Sequence, residues 1–198
     1  MVFDVTKSII MKKVLTSDKM SFNIQPILEN DRVILYPLEE KDFEVLYAVA
    51  SDPKIWEQHP NKDRWKKDVF LTFFDGAMKS KGAFKIVDKA TKNVIGSTRF
   101  YDYNKNENSI FIGYTFYAVP CWGKGINHSV KITMLDYIFQ FVSKVYFYIG
   151  TNNVRSQMAI GRLGAEKIGE REVTYLGEAL RSNFMYEINK QKWNSRNL

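Results

Sequence analysis

Two stretches of this chain set small, polar and basic residues at points where a strand gives way to a helix. The first is Pro120-Cys121-Trp122-Gly123-Lys124-Gly125-Ile126-Asn127. Glycines at 123 and 125 let backbone N–H groups approach a ligand closely, and the helix start behind them presents the positive end of its dipole. With Lys124 adding a point charge, the stretch reads as a phosphate cradle or, more blandly, as an ordinary strand-to-helix turn. It is not a P-loop, because the G-x-x-x-x-G-K-S/T frame is absent. Nor is it a dinucleotide fingerprint, because the third glycine is missing and no repeated βαβ units precede it. The second stretch runs from Asn153 to Ala165, NVRSQMAIGRLGA. Asn153 and Ser156 are suited to face a ligand lying between two splayed strands. Asn153 as an N-cap and Gly164 beyond the helix end would serve equally well as helix punctuation.

The elements that must position these stretches follow from periodicity. Arg32 to Pro37 is a β-rich run, followed by a helix in which Phe43, Leu46, Tyr47 and Ala50 recur at helical spacing. Pro53 ends that helix and Ile55 to Pro60 is loop-like. Asp63 is a candidate cap for a second helix carrying Trp65, Val69, Phe70 and Phe73 on one face. Strands are expected over Ala83 to Asp88, Val94 to Tyr103 and Ser109 to Tyr117, antiparallel neighbours because polar turn sequences separate them. The strongest helix follows Gly125, with Ile126, Val130, Met134, Ile138 and Val142 four apart. Then come a strand KVYFYIG, a helix from Asn153 to about Leu163, strands AEKIGEREV and FMYEI, and a polar tail. This order indicates a single α/β (α+β) domain.

Composition narrows the function classes. The 198 residues are 45% hydrophobic, 15% aromatic and 26% charged, enough for a core and unlike a disordered or low-complexity chain. Lys and Arg number 29 against 22 Asp and Glu, a net +7 that suits an anionic ligand. The basic residues are widely spread and lack aromatic interleaving, so nucleic acid is not the expected partner. Cys121 is the only cysteine, so neither an intramolecular disulfide nor a cysteine metal cluster can form. With only His59 and His128, no metal is expected. A reducing, cytoplasmic compartment is the corresponding expectation, without membrane association, since no apolar run of about 18 residues occurs. Residues 1–20 read as a loose extension with neither a signal peptide's apolar region nor its cleavage site.

The glycine turn entering a helix and the N-x-x-S-x₇-G-A pattern entering the next helix, 28 residues later, together resemble the GNAT superfamily of N-acetyltransferases. The segments IGSTRFYDY, IGYTF and P-x-W-G-K-G are similar to the branch of ribosomal-protein N-acetyltransferases. The resemblance covers roughly residues 31–190 and implies one domain with a central mixed, mostly antiparallel sheet flanked by helices. It also implies transfer of an acetyl group from acetyl-coenzyme A to a primary amine, small or peptidic, by direct attack in a ternary complex. A homodimer is a common arrangement among such proteins. Trp122, Gly123, Lys124, Gly125, Ile126 and Asn127 then match the pyrophosphate loop. Trp122 stands where Gln or Arg is frequent, and Asn127 where Gly or Ala is usual. The strand end around Phe116 and Tyr117 would offer backbone groups to the pantetheine arm and the thioester carbonyl. Asn153 and Ser156 match positions contacting the same arm, with Ser156 able to protonate the departing thiolate.

Acyl transfer to an amine needs a neutral amine, a polarised carbonyl and a proton for the leaving sulfur. A lysine amine is roughly 0.04% neutral at pH 7 and an α-amine roughly 10–20%, so the lysine demands far more of a base. Many relatives carry Glu before the I-G-Y sequence; here the residue is Phe111. The substitutes are Glu57 and His59, in a loop that often borders the acceptor in this family. The bland alternative there is a solvated loop with Trp56 packed. Asp102 and Glu107 are further options but fall at a hairpin turn. Tyr114 alternates onto the strand face of Ile110, Ile112 and Phe116 and reads as core. Cys121 has no evident base, Lys131, one turn after Asn127, is placed to reach the cofactor or, by default, is an exposed helix lysine, and Arg155 and Arg162 are candidate partners for the cofactor's 3′-phosphate or adenine. A protein that binds acyl-coenzyme A without turnover is the alternative, motivated by Phe111.

Overall fold

The computed structural model describes residues 23–174 and 178–196; the expected extension over residues 1–20 lies outside them. Eight strands form one sheet in the order β1-β2-β3-β4-β5-β6-β8-β7. They are β1 (Leu28–Glu29), β2 (Val33–Pro37), β3 (Ala83–Asp88), β4 (Val94–Asn104), β5 (Ser109–Tyr117), β6 (Lys144–Gly150), β7 (Glu166–Val173) and β8 (Arg181–Asn189). Every neighbouring pair is antiparallel except β5 and β6, which are parallel. That is the mixed, mostly antiparallel sheet expected, flanked by helices α1 (Phe43–Ala50), α2 (Lys67–Ser80), α3 (Ile126–Ile138), α4 (Val154–Gly161) and α5 (Lys190–Ser195).

Two apolar clusters cover the sheet's two faces. Ile126, Val130, Met134 and Ile138 of α3 are buried with Phe84, Ile86, Ile110, Ile112 and Val145, as their four-residue spacing requires. Leu46 and Ala50 of α1 and Phe70, Phe73, Phe74 and Ala77 of α2 are buried with Trp56 and Phe116 on the other face. Each of the fully buried Val, Leu, Ile, Met and Phe side chains contributes about 1.5–3 kcal/mol.

Three elements depart from the sequence reading. α2 starts at Lys67, and Asp63 does not cap it: the Lys66 N–H bonds the Asp63 carbonyl at 2.9 Å in a preceding turn. Trp65 is therefore 38% exposed, while Arg64 turns inward at 1%. α5 forms within the polar tail because Trp193 is buried and its Nε1 donates to Asp136 Oδ1 at 2.8 Å. A single apolar residue has no periodicity to read.

The third departure shapes the site. Along β5 the pairing with β4 steps from Arg99–Gly113 to Ser97–Phe116, three residues against two. Tyr114 in that bulge has φ +52°. An extra residue reverses the alternation of faces. Ile110 and Ile112 pack on the α3 side, Tyr114 and Phe116 on the α1–α2 side, and Tyr117 on the α3 side again. The common face expected for Ile110, Ile112, Tyr114 and Phe116 does not exist.

Candidate active site

β5 and β6 pair only through Ser109, Ile110 and Phe111 with Lys144, Val145 and Tyr146, then diverge. The divergence opens a cleft of about 920 Å³. Gly113, Tyr114, Thr115, Phe116 and Tyr117 line one side, and Phe147, Tyr148, Ile149 and Gly150 the other. Beyond Phe111, the edge of β5 that would continue the sheet faces this opening, with backbone donors and acceptors suited to an extended ligand.

At one end lies the glycine turn. Gly123 and Gly125 have φ +72° and +76°, values only glycine adopts freely, and α3 begins immediately after. Gly123, Gly125, Ile126 and Asn127 line the cleft. Lys124 is exposed and outside that lining, and its carbonyl accepts from Arg32 Nη2 at 2.8 Å. What the turn offers the cleft is backbone N–H groups and the N-terminal end of the α3 dipole, not the Lys124 ammonium. The two unusual residues of the loop share one partner. Trp122 Nε1 donates to the Tyr117 carbonyl at 3.1 Å, and the Tyr117 hydroxyl donates to Asn127 Oδ1 at 3.2 Å. Together they brace the turn against the end of β5. Burial keeps the Tyr117 phenol protonated far above its ordinary range.

On the facing wall, Asn153 caps α4: its Oδ1 accepts from the Ser156 N–H at 3.1 Å. The punctuation reading of Asn153 is therefore met, and the same residue lines the cleft. Ser156 also lines it, and its hydroxyl makes no hydrogen bond among the described residues. Arg155 stacks its guanidinium 3.8 Å from the centroid of Trp122 and reaches the Ile55 carbonyl at 3.4 Å. It links α4 with both the glycine turn and the loop after α1.

The other end is lined by His59, Arg64, Tyr101 and Tyr114. Trp56 is buried, with Nε1 bonded to the Ala50 carbonyl at 2.7 Å, so this loop is packed and not merely solvated. His59 meets Trp56 edge to face and has both ring nitrogens near Arg64 Nη1, at 3.0 and 3.2 Å. Burial first, then the charges of Arg64 and Arg155, hold its pKa well below 6.5. His59 is accordingly neutral at pH 7, not poised near its ordinary value as expected from sequence. Glu57 is exposed and is not among the residues lining the cleft. Asp102 is exposed on β4 and Glu107 on the hairpin turn. Phe111 is ringed by Tyr101, Tyr146 and Tyr148 at 4.8–5.3 Å, an aromatic wall where a carboxylate is frequent. The Cys121 thiol is pushed up by burial and by Asp88, which opposes a thiolate nucleophile.

Three residues have roles the sequence did not disclose. Lys131 is buried, not exposed, and its Nζ donates to Thr98 Oγ1 at 3.0 Å and Thr115 Oγ1 at 2.6 Å. Desolvation pulls its pKa down to about 7. Arg64 and Glu178 form a buried ion pair across 114 residues of sequence, and no local pattern announces either. Lys131 alone had a clue, lying one residue after the buried Val130 on a helix whose first turn enters the site.

A family model described as an acetyltransferase (GNAT) domain matches residues 32–166, more than half of the chain. The chain belongs to the GNAT acetyltransferases. Solved GNAT structures share its fold. A GNAT-family acetyltransferase from Bacillus anthracis is 17% identical, with a TM-score of 0.69 over 84% of this chain and 99% of that one. A related N-acetyltransferase from Brucella melitensis is 20% identical, with a TM-score of 0.72 over 86% and 81%. Spermidine N-acetyltransferase from Vibrio cholerae, in complex with CoA and spermine, is 19% identical, with a TM-score of 0.65 over 83% and 99%. At these identities the likeness is one of fold. As a GNAT acetyltransferase the protein is an enzyme of acetyl transfer, and among the described residues no helix is long and apolar enough to cross a membrane.

Proposed function

We propose that the protein moves the acetyl group of acetyl-coenzyme A to a primary amine by direct attack in a ternary complex. The observation that carries this reading is the opening between β5 and β6, which joins the glycine turn at one end to the Arg64–Tyr114 end at the other. The cleft fits the cosubstrate. N–H groups of the 123–127 turn suit its pyrophosphate, and the unpaired edge of β5 suits its pantetheine arm. Around Phe116 and Tyr117, backbone N–H groups would polarise the thioester carbonyl. The amine nitrogen bonds to the carbonyl carbon and gives up a proton to water, the C–S bond breaks, and the sulfur takes a proton relayed through the Ser156 hydroxyl, which regains one from water. With Phe111 in the strand, neutrality of the amine matters more, which favours a weakly basic α-amine over a lysine side chain.

Acetyl-coenzyme A at 100 times its dissociation constant should stabilise the fold by roughly 2.7 kcal/mol, a rise of roughly 5–11 °C in the unfolding midpoint. An amine panel should then elicit enzyme-dependent thiol release. No thermal shift at millimolar cosubstrate would refute the site. A shift without thiol release for any amine would support binding without turnover, the second reading, which Phe111 favours. In Ser156→Ala, kcat should fall by about 10²-fold while the thermal shift persists. An unchanged kcat would remove Ser156 as the acid.

A further inference from the structure

We propose that Lys131 is a positioning residue for acetyl transfer, whose buried positive charge acts through Thr115 on the stretch of β5 that faces the thioester oxygen. The proposal rests on the acyl-transfer reading above and concerns the negative charge that the reaction creates on that oxygen.

Lys131 comes from the second turn of α3, behind the glycine turn, and is the one lysine among the described residues that lines the cleft. It is buried, and its Nζ donates to Thr98 Oγ1 on β4 at 3.0 Å and to Thr115 Oγ1 on β5 at 2.6 Å. Thr115 in turn donates to the Gly113 carbonyl at 3.3 Å. The chain of donors thus runs from the ammonium to the two residues that flank Tyr114 in the bulge. Thr115 also lines the cleft and directly precedes Phe116, whose backbone the acyl-transfer reading sets against the thioester carbonyl. Among the described residues no carboxylate pairs with Lys131. Buried charges are ordinarily paired. One that stands without a counter-ion in the wall of a cleft is complementary to an anion that forms during the reaction. An apolar side chain at this position would cost the fold less, so the ammonium is explained by the site and not by stability.

The anion is the thioester oxygen. As the C–N bond forms, the carbonyl electron pair moves onto oxygen, and it returns when the C–S bond breaks. Lys131 keeps its proton throughout, and the amine and sulfur protons follow the routes given above. The other ionisable groups of the cleft leave this charge standing. Tyr117 holds its phenol on Asn127 and stays protonated, and the Cys121 thiol stays neutral. Arg155 and Arg162 line the cleft from α4 and its C-cap as further cations. His128 lies one turn earlier on α3, and Tyr148 faces the cleft from β6. Desolvation lowers the Lys131 pKa to about 7, so its charge is complete below that pH and fades above it. An anionic ligand beside it moves the loss to higher pH.

The test compares wild type, Lys131→Met and Thr115→Val, with alaninamide as the amine. In Lys131→Met, acetyl-coenzyme A affinity should stay within about threefold of wild type while kcat falls by about 10–10²-fold at pH 6. The ratio of wild-type to variant kcat cancels the acceptor's own titration. It should be largest at pH 6 and shrink toward one by pH 10, as the ammonium loses its charge. A ratio near one at pH 6, or a ratio independent of pH, would overturn the proposal. Thr115→Val should also lower kcat, and adding Lys131→Met to it should cost no more than about a further threefold. Full additivity would sink the route through Thr115. Calorimetry with S-carboxymethyl-coenzyme A, which carries a fixed carboxylate in place of the acetyl group, reads the charge without turnover. Lys131→Met should weaken this ligand about tenfold more than acetyl-coenzyme A, and an equal change for both would count against the assignment. Failure of the acyl-transfer reading is separate: wild type would bind acetyl-coenzyme A and release no thiol with any amine.

Discussion

Lys131→Met should raise the unfolding midpoint of the protein by roughly 5–10 °C at pH 7 and below, with the gain shrinking as pH rises toward 10. Lys131 is buried at 3% exposure, and its ammonium meets only two threonine hydroxyls, with no carboxylate partner among the described residues. Holding a charge there is costly, and desolvation brings its pKa from 10.5 to about 7. The sign follows by linkage. Between about pH 7 and 10.5 the unfolded chain binds a proton at this lysine that the folded chain does not, so wild-type stability climbs with pH across that window. Below the window both states are protonated and the cost is complete. Methionine matches the stem and removes the amine. Thr98 Oγ1 and Thr115 Oγ1 remain bonded to each other at 2.8 Å, so no hydroxyl is orphaned. Exchanging such a group for an apolar one yields about 1–4 kcal/mol, near 2–4 °C each for a chain of this length. Thermal unfolding of both proteins from pH 6 to 10 checks it. A variant equal to or less stable than wild type at pH 6 would show that the ammonium is well solvated in place.

Gly96→Ala should lower the unfolding midpoint by roughly 6–12 °C, from about 3 kcal/mol of strain, and abolish stabilisation by acetyl-coenzyme A. A Cβ at Gly96 would stand 2.1 Å from the Phe116 carbonyl oxygen and 3.1 Å from Tyr117 Cα. These are backbone atoms, so relief requires the end of β5 to move. That movement carries Tyr117 with it, and Tyr117 holds both Trp122 and Asn127 in the glycine turn. One methyl group on β4 should therefore disturb the glycine turn, which it does not touch, by way of the β5 backbone that it does. Gly161→Ala is the control, since a Cβ there meets nothing within 4 Å and the residue is helical. Its effect should lie within about 1 kcal/mol and favour the alanine. Thermal shifts with and without acetyl-coenzyme A distinguish the two. Equal behaviour would mean that β5 yields without consequence for the site.

Much of this molecule is legible from local pattern because local physics is periodic. The four-residue spacing of Ile126, Val130, Met134 and Ile138 identifies the apolar face of α3 wherever that helix packs. Gly123 and Gly125 announce a turn with positive φ, and Asn153 announces a cap, since those backbone demands are met by the residues themselves. The resemblance to GNAT proteins gathers these local signals in order, and the family assignment holds.

Other features arise only when distant segments meet. Alternation along β5 predicts one face for Ile112, Tyr114 and Phe116, but register with β4 inserts a bulge and sends Ile112 to the opposite side. Lys131 looks solvent-facing in a helix of mixed character until β4 and β5 cover it with Thr98 and Thr115. His59 carries an ordinary imidazole until Arg64 and burial lower its pKa, while Glu57 two residues earlier is left outside the cleft. Arg64 and Glu178 are separated by 114 residues, so their ion pair has no sequence signal at all. Periodicity reports what a segment needs from its surroundings. Charge, proton affinity and strand register at the site depend on which surroundings the whole chain supplies, and those come from contacts that no single segment encodes.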